Sequence, residues 1–179
     1  MKKILSLFAA LSFAFTLQAQ QILEVPGLNE FAKIDTNGYS VLPSGRYVTP
    51  AGKTIRITDD PFGLSISPDK KWGITVHNAA FTRVDLGTNT AKRFPDFGTS
   101  DKISPYGKSS FLGIVFASDS QSFYLSGGDA GNVLQVDILT GKVIRTISLD
   151  GKIGEKTFED SFASDMALMA EINELFVLD

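Results

Sequence analysis

The sequence predicts an all-β fold, organised as a partial β-propeller, and two repeated patterns predict it. Residues 63–76 and 113–126 match at an offset of 50, each with a short apolar strand, a polar turn centred on Asp69 or Asp119, and a second apolar strand. Residues 84–90 and 136–142 match at an offset of 52, each with a turn between two β-type runs. Four short strands in a unit of this length are typical of a propeller blade. We expect about two complete four-stranded antiparallel blades, near residues 62–97 and 111–149, with partial blades beside them.

A partial unit precedes these two repeats. Residues 40–43, 46–48 and 54–57 have the composition of short strands, with turn residues between them. We expect them to be the outer strands of a blade whose inner strands come from elsewhere in the ring. A small antiparallel sandwich formed by this chain alone is the alternative.

A third copy of the repeat begins at about residue 165. An apolar run at 166–169 turns through 171–174 into a second run at 175–178, and no residues follow that would match the third and fourth strands. Closed propellers have about four to eight blades, so we expect a half blade here and a truncated propeller. The alternative is that Asp179 is a genuine end whose strand lies on a sheet edge. Open blade faces predict poor solubility or self-association.

The first residues have the pattern of a secretory signal peptide. Lys2 and Lys3 precede an apolar run from Ile4 to Phe15, and small-residue cleavage chemistry follows at Ala19. The apolar run is shorter than the roughly 20 residues that span a bilayer. We expect a signal peptide at 1–19, a lead-in segment at 20–38 and the propeller domain at 39–179, exported to the periplasm or the extracellular space. A buried N-terminal helix or a membrane anchor is the alternative.

Composition excludes several classes of function. The chain has no Cys and one His, which excludes thiolate chemistry, disulfides and a metal site built from several His. Its net charge is −3, and loss of the signal peptide would remove two of 17 basic and none of 20 acidic side chains, giving −5. An acidic balance argues against nucleic-acid binding. We expect no cofactor, no metal and no membrane span after the signal is removed.

Two predicted turns carry the candidate ligand-facing residues, which are His77, Asn78, Asp129 and Asn132. In a propeller, the loop between the second and third strands shares a face with the connections between blades, here 95–110 and 150–165. Long loops are often functional, so a ligand at that face would meet these four side chains. The alternative is that they cap turns and bond to the backbone.

Other repeated residues favour structural roles. Asp85 and Asp137 occupy equivalent places before a turn, where a carboxylate bonds turn amides. Aromatic residues on the predicted strands favour packing between neighbouring blades, and they are Trp72, Phe81, Phe116, Phe123 and Tyr124. Gly52-Lys53-Thr54 lacks the upstream Gly, the strand and the helix of a phosphate-binding loop. No catalytic residue is predicted.

These units resemble the YVTN-type β-propeller repeats of exported bacterial proteins. The resemblance is carried by residues 62–69, 73–78 and 136–142, although 75–78 matches the naming motif only approximately and 125–128 departs further. Residues 42–53 resemble the propeller start of secreted proteins that join such a propeller to an alkaline-phosphatase-like phosphoesterase domain. The resemblance implies that any metal-dependent catalysis would lie in that further domain.

We therefore expect an exported, non-catalytic propeller module for binding or scaffolding, from the N-terminal part of a larger propeller–phosphoesterase protein. Its partner is unknown, with a protein partner or the missing C-terminal domain as candidates. One alternative is a fragment of a lactonase-like propeller hydrolase acting at the central channel, which would need converging carboxylates, often around a divalent metal. A purely structural repeat protein is another.

Overall fold

The computed structural model describes residues 24–96, 104–107 and 113–179, and within these ranges the protein is all-β without a helix. The prediction of an all-β chain with four-stranded antiparallel sheets is confirmed for this part of the chain. Nowhere in these ranges does a helix have the length and apolarity needed to cross a membrane. The predicted signal peptide lies outside the described residues. The chain divides into two compact units, Met1–Thr54 and Ile55–Asp179.

The described part of the first unit contains one short hairpin. Its two strands are β1 (Ser40–Val41) and β2 (Tyr47–Val48), which pair antiparallel. Gly45 closes the turn with a φ of +74°, a conformation that glycine adopts without steric cost. The main chain of Lys33 bridges to Val41, whose side chain is buried.

The second unit begins without the strand that was expected at 54–57. That prediction was wrong, because the main chain after Thr54 is tied to the following sheet by side chains rather than by a β-ladder. The main-chain carbonyl of Asp59 bonds to the ring of His77, and the hydroxyl of Thr58 accepts a hydrogen bond from Thr82.

Two four-stranded antiparallel sheets form the main body of the second unit, each with its strands in chain order. The first sheet consists of β3 (Leu64–Ile66), β4 (Trp72–His77), β5 (Ala80–Asp85) and β6 (Thr90–Phe94). The second consists of β7 (Ile114–Phe116), β8 (Ser122–Ser126), β9 (Asn132–Asp137) and β10 (Val143–Ser148).

Two hairpins follow the second sheet. The first is β11 (Gly151–Ile153) with β12 (Lys156–Phe158), and the second is β13 (Asp165–Met169) with β14 (Glu174–Leu178). The expectation of a plain loop over 150–165 was therefore wrong. All six residues of β11 and β12 are exposed. Strands without a buried face need no alternation of apolar and polar residues, which is the pattern that indicates a strand in a sequence. The other expected long loop, 95–110, lies largely outside the described residues.

The two sheets differ in one turn, and this accounts for the two sequence offsets. The turn between β4 and β5 has two residues, 78–79, whereas the equivalent turn between β8 and β9 has five, 127–131. One of the three additional residues belongs to the turn because β8 ends one residue earlier than β4. Trp72 pairs with Asp85 in the first sheet, as Ser122 pairs with Asp137 in the second. The insertion therefore amounts to two residues and leaves the strand register unchanged.

Aromatic side chains join the two sheets. The Phe81 ring is fully buried, lies 4.9 Å from the Phe123 ring in an edge-to-face contact and stacks on Phe94 at 4.9 Å. Phe116 and the partly buried Trp72 belong to the same cluster, whereas Tyr124, on the opposite face of its sheet, packs with the β13–β14 hairpin. The prediction that these aromatic residues pack between neighbouring repeats is confirmed.

Candidate functional site

The four candidate residues lie at equivalent turns of the two sheets, two at each turn. His77 ends β4 and Asn78 is exposed in the turn after it, whereas Asp129 is exposed in the longer turn and Asn132 begins β9. Oδ1 of Asn132 is buried and has no hydrogen-bond partner within the described part of the chain. Their role in binding a ligand remains a prediction.

His77 lies inside a polar cluster rather than at the surface, with 2 % of its area exposed. Its Nδ1 is 2.8 Å from the carbonyl oxygen of Asp59, and its Nε2 is 2.9 Å from the hydroxyl of Thr75 and 3.0 Å from that of Thr82. A carbonyl oxygen only accepts, so Nδ1 carries the proton of the neutral ring. Thr82 donates to Thr58, which leaves Thr75 to donate to Nε2. His77 thereby anchors residues 58–60 to the sheet.

Burial lowers the pKa of His77 below its usual value of 6.5, more than its bond to the Asp59 carbonyl raises it. The unfolded chain therefore binds a proton at a higher pH than the folded chain does. Between the two pKa values the unfolded state holds more protons, so stability rises with pH in that window.

We expect the free energy of unfolding to fall as the pH is lowered below about 6.5, because protonation of His77 then favours the unfolded chain. Urea titrations across this range would measure the effect. The chain has one His, so His77→Gln provides the control and should flatten this part of the profile. An equal slope in that variant, or an NMR titration of the ring with a midpoint above 6.5, would contradict the assignment.

A cavity of about 240 Å³ lies beside this cluster. Among the described residues, its lining comes from the 55–58 segment and from β5 and β6, and consists of Arg56, Ile57, Thr58, Thr82, Ala91 and Arg93. Sequence reasoning missed the two arginines. The strand register is the signal that could have indicated Arg93. Thr75 pairs with Thr82 and Thr82 with Arg93, so these three polar side chains form one row across the first sheet.

A second cavity, of about 400 Å³, has three aspartates in its lining, Asp69, Asp119 and Asp137. Each of these carboxylates accepts hydrogen bonds from turn amides, as Oδ1 of Asp69 does from the amide of Lys71 at 3.1 Å. Arg83 donates to the carbonyls of residues 138 and 139 and stacks on Trp72 with its Cζ 4.6 Å from the ring centre. These carboxylates serve to fix turns.

The prediction that Asp85 and Asp137 bond the adjacent turn amides is confirmed. Oδ1 of Asp85 accepts from the amides of residues 87 and 88 at 2.9 Å each, and Oδ1 of Asp137 accepts from those of residues 139 and 140. The hydroxyl and amide of Thr140 lower the pKa of Asp137. Within residues 24–96, 104–107 and 113–179, no group of three or more His, Asp or Glu side chains could hold a metal ion.

No family model matches this chain, and no curated protein matches it. Among solved structures, the chain is similar to hydrazine synthase from Kuenenia stuttgartiensis with 15% sequence identity and a TM-score of 0.48. The match covers 73% of this chain and 32% of that chain, so the present chain spans about a third of its length.

Proposed function

We propose that this chain is an exported, non-catalytic module for binding or scaffolding, built as part of a β-propeller. In this proposal it belongs to the N-terminal part of a larger protein that joins a propeller to a phosphoesterase domain. The phosphoesterase association is supported by the resemblance of residues 42–53 alone. The propeller part of the proposal is supported by apolar positions that are buried in one sheet and exposed at the equivalent place in another.

Equivalent positions are buried in one sheet and exposed in the other. Ile114 and Phe116 on β7 are 7% and 3% exposed, because they pack against the first sheet. Their counterparts on β3, Leu64 and Ile66, are 69% and 56% exposed. The outer face of the first sheet thus carries the apolar pattern of a packed face without a packing neighbour among the described residues.

The β13–β14 hairpin presents the complementary pattern. Its inner face packs on the second sheet through Met166 and Val177. Phe176 and Leu178, on the outer face, match Ile74 and Val76 of the first sheet in register, where both side chains are fully buried. In the hairpin they are 52% and 65% exposed. A stack with apolar faces at both ends is suited to pack against further sheets of the same kind, as in a propeller.

The test is the association state of the exported chain. Because each outer face matches a face that is buried elsewhere in the stack, two copies would associate head to tail. We expect concentration-dependent association in sedimentation velocity, and we expect the double variant Phe176→Ser, Leu178→Ser to weaken it at least tenfold. Ile153→Ser, at a site 70% exposed on β11, is the matched control and should leave association unchanged.

A monodisperse monomer at every concentration would contradict the proposal of unsatisfied propeller faces. Calorimetric titration with Ca²⁺ or Zn²⁺ addresses the hydrolase alternative, because a propeller hydrolase often binds a divalent metal. Stoichiometric metal uptake would favour that alternative over a non-catalytic module.

A further inference from the structure

The segment that precedes β1 matches the third strand of the repeat. Residues 31–35 have the sequence FAKID and residues 81–85, in β5, have the sequence FTRVD, so aromatic, basic, β-branched and acidic side chains recur at an offset of 50. The turns that follow match as well. Oδ1 of Asp35 accepts from the amides of residues 37 and 38, as Oδ1 of Asp85 does from those of residues 87 and 88. Residues 31–35, here called the arm, thus have the sequence and the turn of a third strand.

Main-chain pairing supports the same equivalence. Lys33 and Val41 of β1 exchange two hydrogen bonds, of 3.0 and 2.9 Å, and Arg83 at the matching position pairs with Lys92 of β6. Main-chain groups of successive residues in an antiparallel ladder face opposite sides, so those of Ile34 face away from β1. The arm is therefore paired on one edge, and its other edge is the one that β5 uses to pair with β4.

The arm exposes apolar side chains at positions that the first sheet buries. Phe31 and Ile34 are 95% and 89% exposed, whereas Phe81 and Val84 at the matching positions are 0% and 7% exposed. The β13–β14 hairpin is a two-stranded sheet and corresponds to the first two strands of the repeat. The arm is therefore the kind of strand that pairs with β4 and β8 in their sheets and that β14 lacks among the described residues.

Two copies of the chain contain enough of these parts for a ring. Two four-stranded sheets, the β13–β14 hairpin and the arm with β1 amount to about three blades, whereas closed propellers have about four to eight. Two copies amount to about six blades, which lies within that range. In a head-to-tail pair, the arm of each copy would lie beside β14 of the other, so that the contact closes on itself.

We propose that the arm adds to β14 of a second copy as the third strand of a shared four-stranded sheet. This mode is β-strand addition, in which main-chain hydrogen bonds give affinity and side-chain pockets give specificity. The proposal rests on the proposed propeller architecture and names the partner of its exposed faces, which is another copy of this chain. The first sheet sets the register, because Ile74 pairs with Arg83 there and Phe176 is therefore expected opposite Lys33.

The experiment is disulfide trapping, which the absence of Cys from the chain makes specific. Because the main-chain groups of Lys33 bond to Val41, its pair with Phe176 is of the non-hydrogen-bonded kind, with Cα atoms about 4.5 Å apart and within disulfide range. We expect Lys33→Cys and Phe176→Cys, purified separately and mixed with oxidised glutathione, to give a mixed dimer identified by its mass. Lys156→Cys, exposed on β12, is the matched control for Lys33→Cys and should give at least tenfold less mixed dimer.

The double variant Lys33→Cys, Phe176→Cys identifies which copy supplies the arm. Exchange between two copies gives a covalent dimer on non-reducing electrophoresis. Pairing within one chain gives a monomer with an internal disulfide, and that result would overturn the proposal. Equal trapping by Lys33→Cys and Lys156→Cys would also overturn it.

Sedimentation velocity separates failure of this proposal from failure of the propeller assignment. We expect Phe31→Ser, Ile34→Ser to weaken association at least tenfold, and Leu28→Ser, at a site 62% exposed outside the arm, to leave it unchanged. If Phe176→Ser, Leu178→Ser weakened association and Phe31→Ser, Ile34→Ser did not, the shared sheet would be overturned and the packing of outer faces would stand. A monomer at every concentration would overturn both.

Discussion

Replacing Phe81 with alanine is expected to lower the free energy of unfolding by about 3–5 kcal/mol. The side chain is fully buried and contacts three aromatic rings, with ring centres 4.9 Å from Phe94, 5.1 Å from Tyr106 and 4.9 Å from Phe123. Truncation would remove the central contact between the two four-stranded sheets and leave a cavity that rigid strands cannot close. Urea unfolding of the whole chain, followed by the fluorescence of its one tryptophan, Trp72, measures the loss.

Phe158→Ala is the matched control for this prediction. Phe158 lies on β12 in the same unit, is 41% exposed and belongs to neither buried cluster of the described chain. Because the cost of truncation scales with the apolar area that was buried, we expect less than half of the loss seen with Phe81→Ala. Equal losses in the two variants would mean that the sheets are not held together by the Phe81 cluster.

Replacing Gly113 with alanine is expected to cost about 1–3 kcal/mol, through crowding rather than loss of contacts. A Cβ atom there would overlap the side chain of Ser126 and lie 2.7 Å from the carbonyl oxygen of Ser164. Gly113 precedes β7, Ser126 ends β8, and Ser164 directly precedes β13. The missing side chain therefore lets the last hairpin approach the second sheet.

Hydrogen exchange distinguishes this mechanism from a general loss of stability. Relative to the parent chain, we expect Gly113→Ala to raise the rate of amide exchange more in β13 and β14 than in β4 and β5, because the hairpin loses its close contact first. Gly52→Ala is the control, since no atom lies within 4 Å of a Cβ at that position. Adding Ser126→Gly to Gly113→Ala should restore part of the loss. If Ser126→Gly restored none of the lost stability and exchange rose equally in all four strands, the steric explanation would be contradicted.

The repeat could be found in the sequence because local chemistry specifies it. Each copy uses an aspartate whose carboxylate bonds the amides of its own turn, and Asp85 and Asp137 do so with the same geometry. Apolar alternation on each side of these turns identifies the strands. Such signals depend on residues within a few positions of one another, so a single sequence suffices to read them.

The candidate site was harder to predict because the burial of its side chains depends on segments that are distant in the sequence. His77 stands at a turn in the sequence, where a polar residue usually faces solvent, yet the 58–60 segment covers it and supplies its carbonyl partner. Arg56 and Arg93 are 37 positions apart in the chain, and they line the same cavity because the 55–58 segment lies beside the first sheet. The β11–β12 hairpin escaped prediction for a different reason, namely that its exposed strands carry no apolar pattern.

The unequal turns of the two sheets have a consequence for engineering. The turn after β8 is longer than the one after β4, yet β8 and β9 keep the same pairing as β4 and β5. Asp129 and Ala130 are exposed within the longer turn, and loop closure becomes only slowly more costly with length. This turn is therefore a natural position at which to graft a peptide epitope or a reporter sequence without disturbing the register of the strands beneath it.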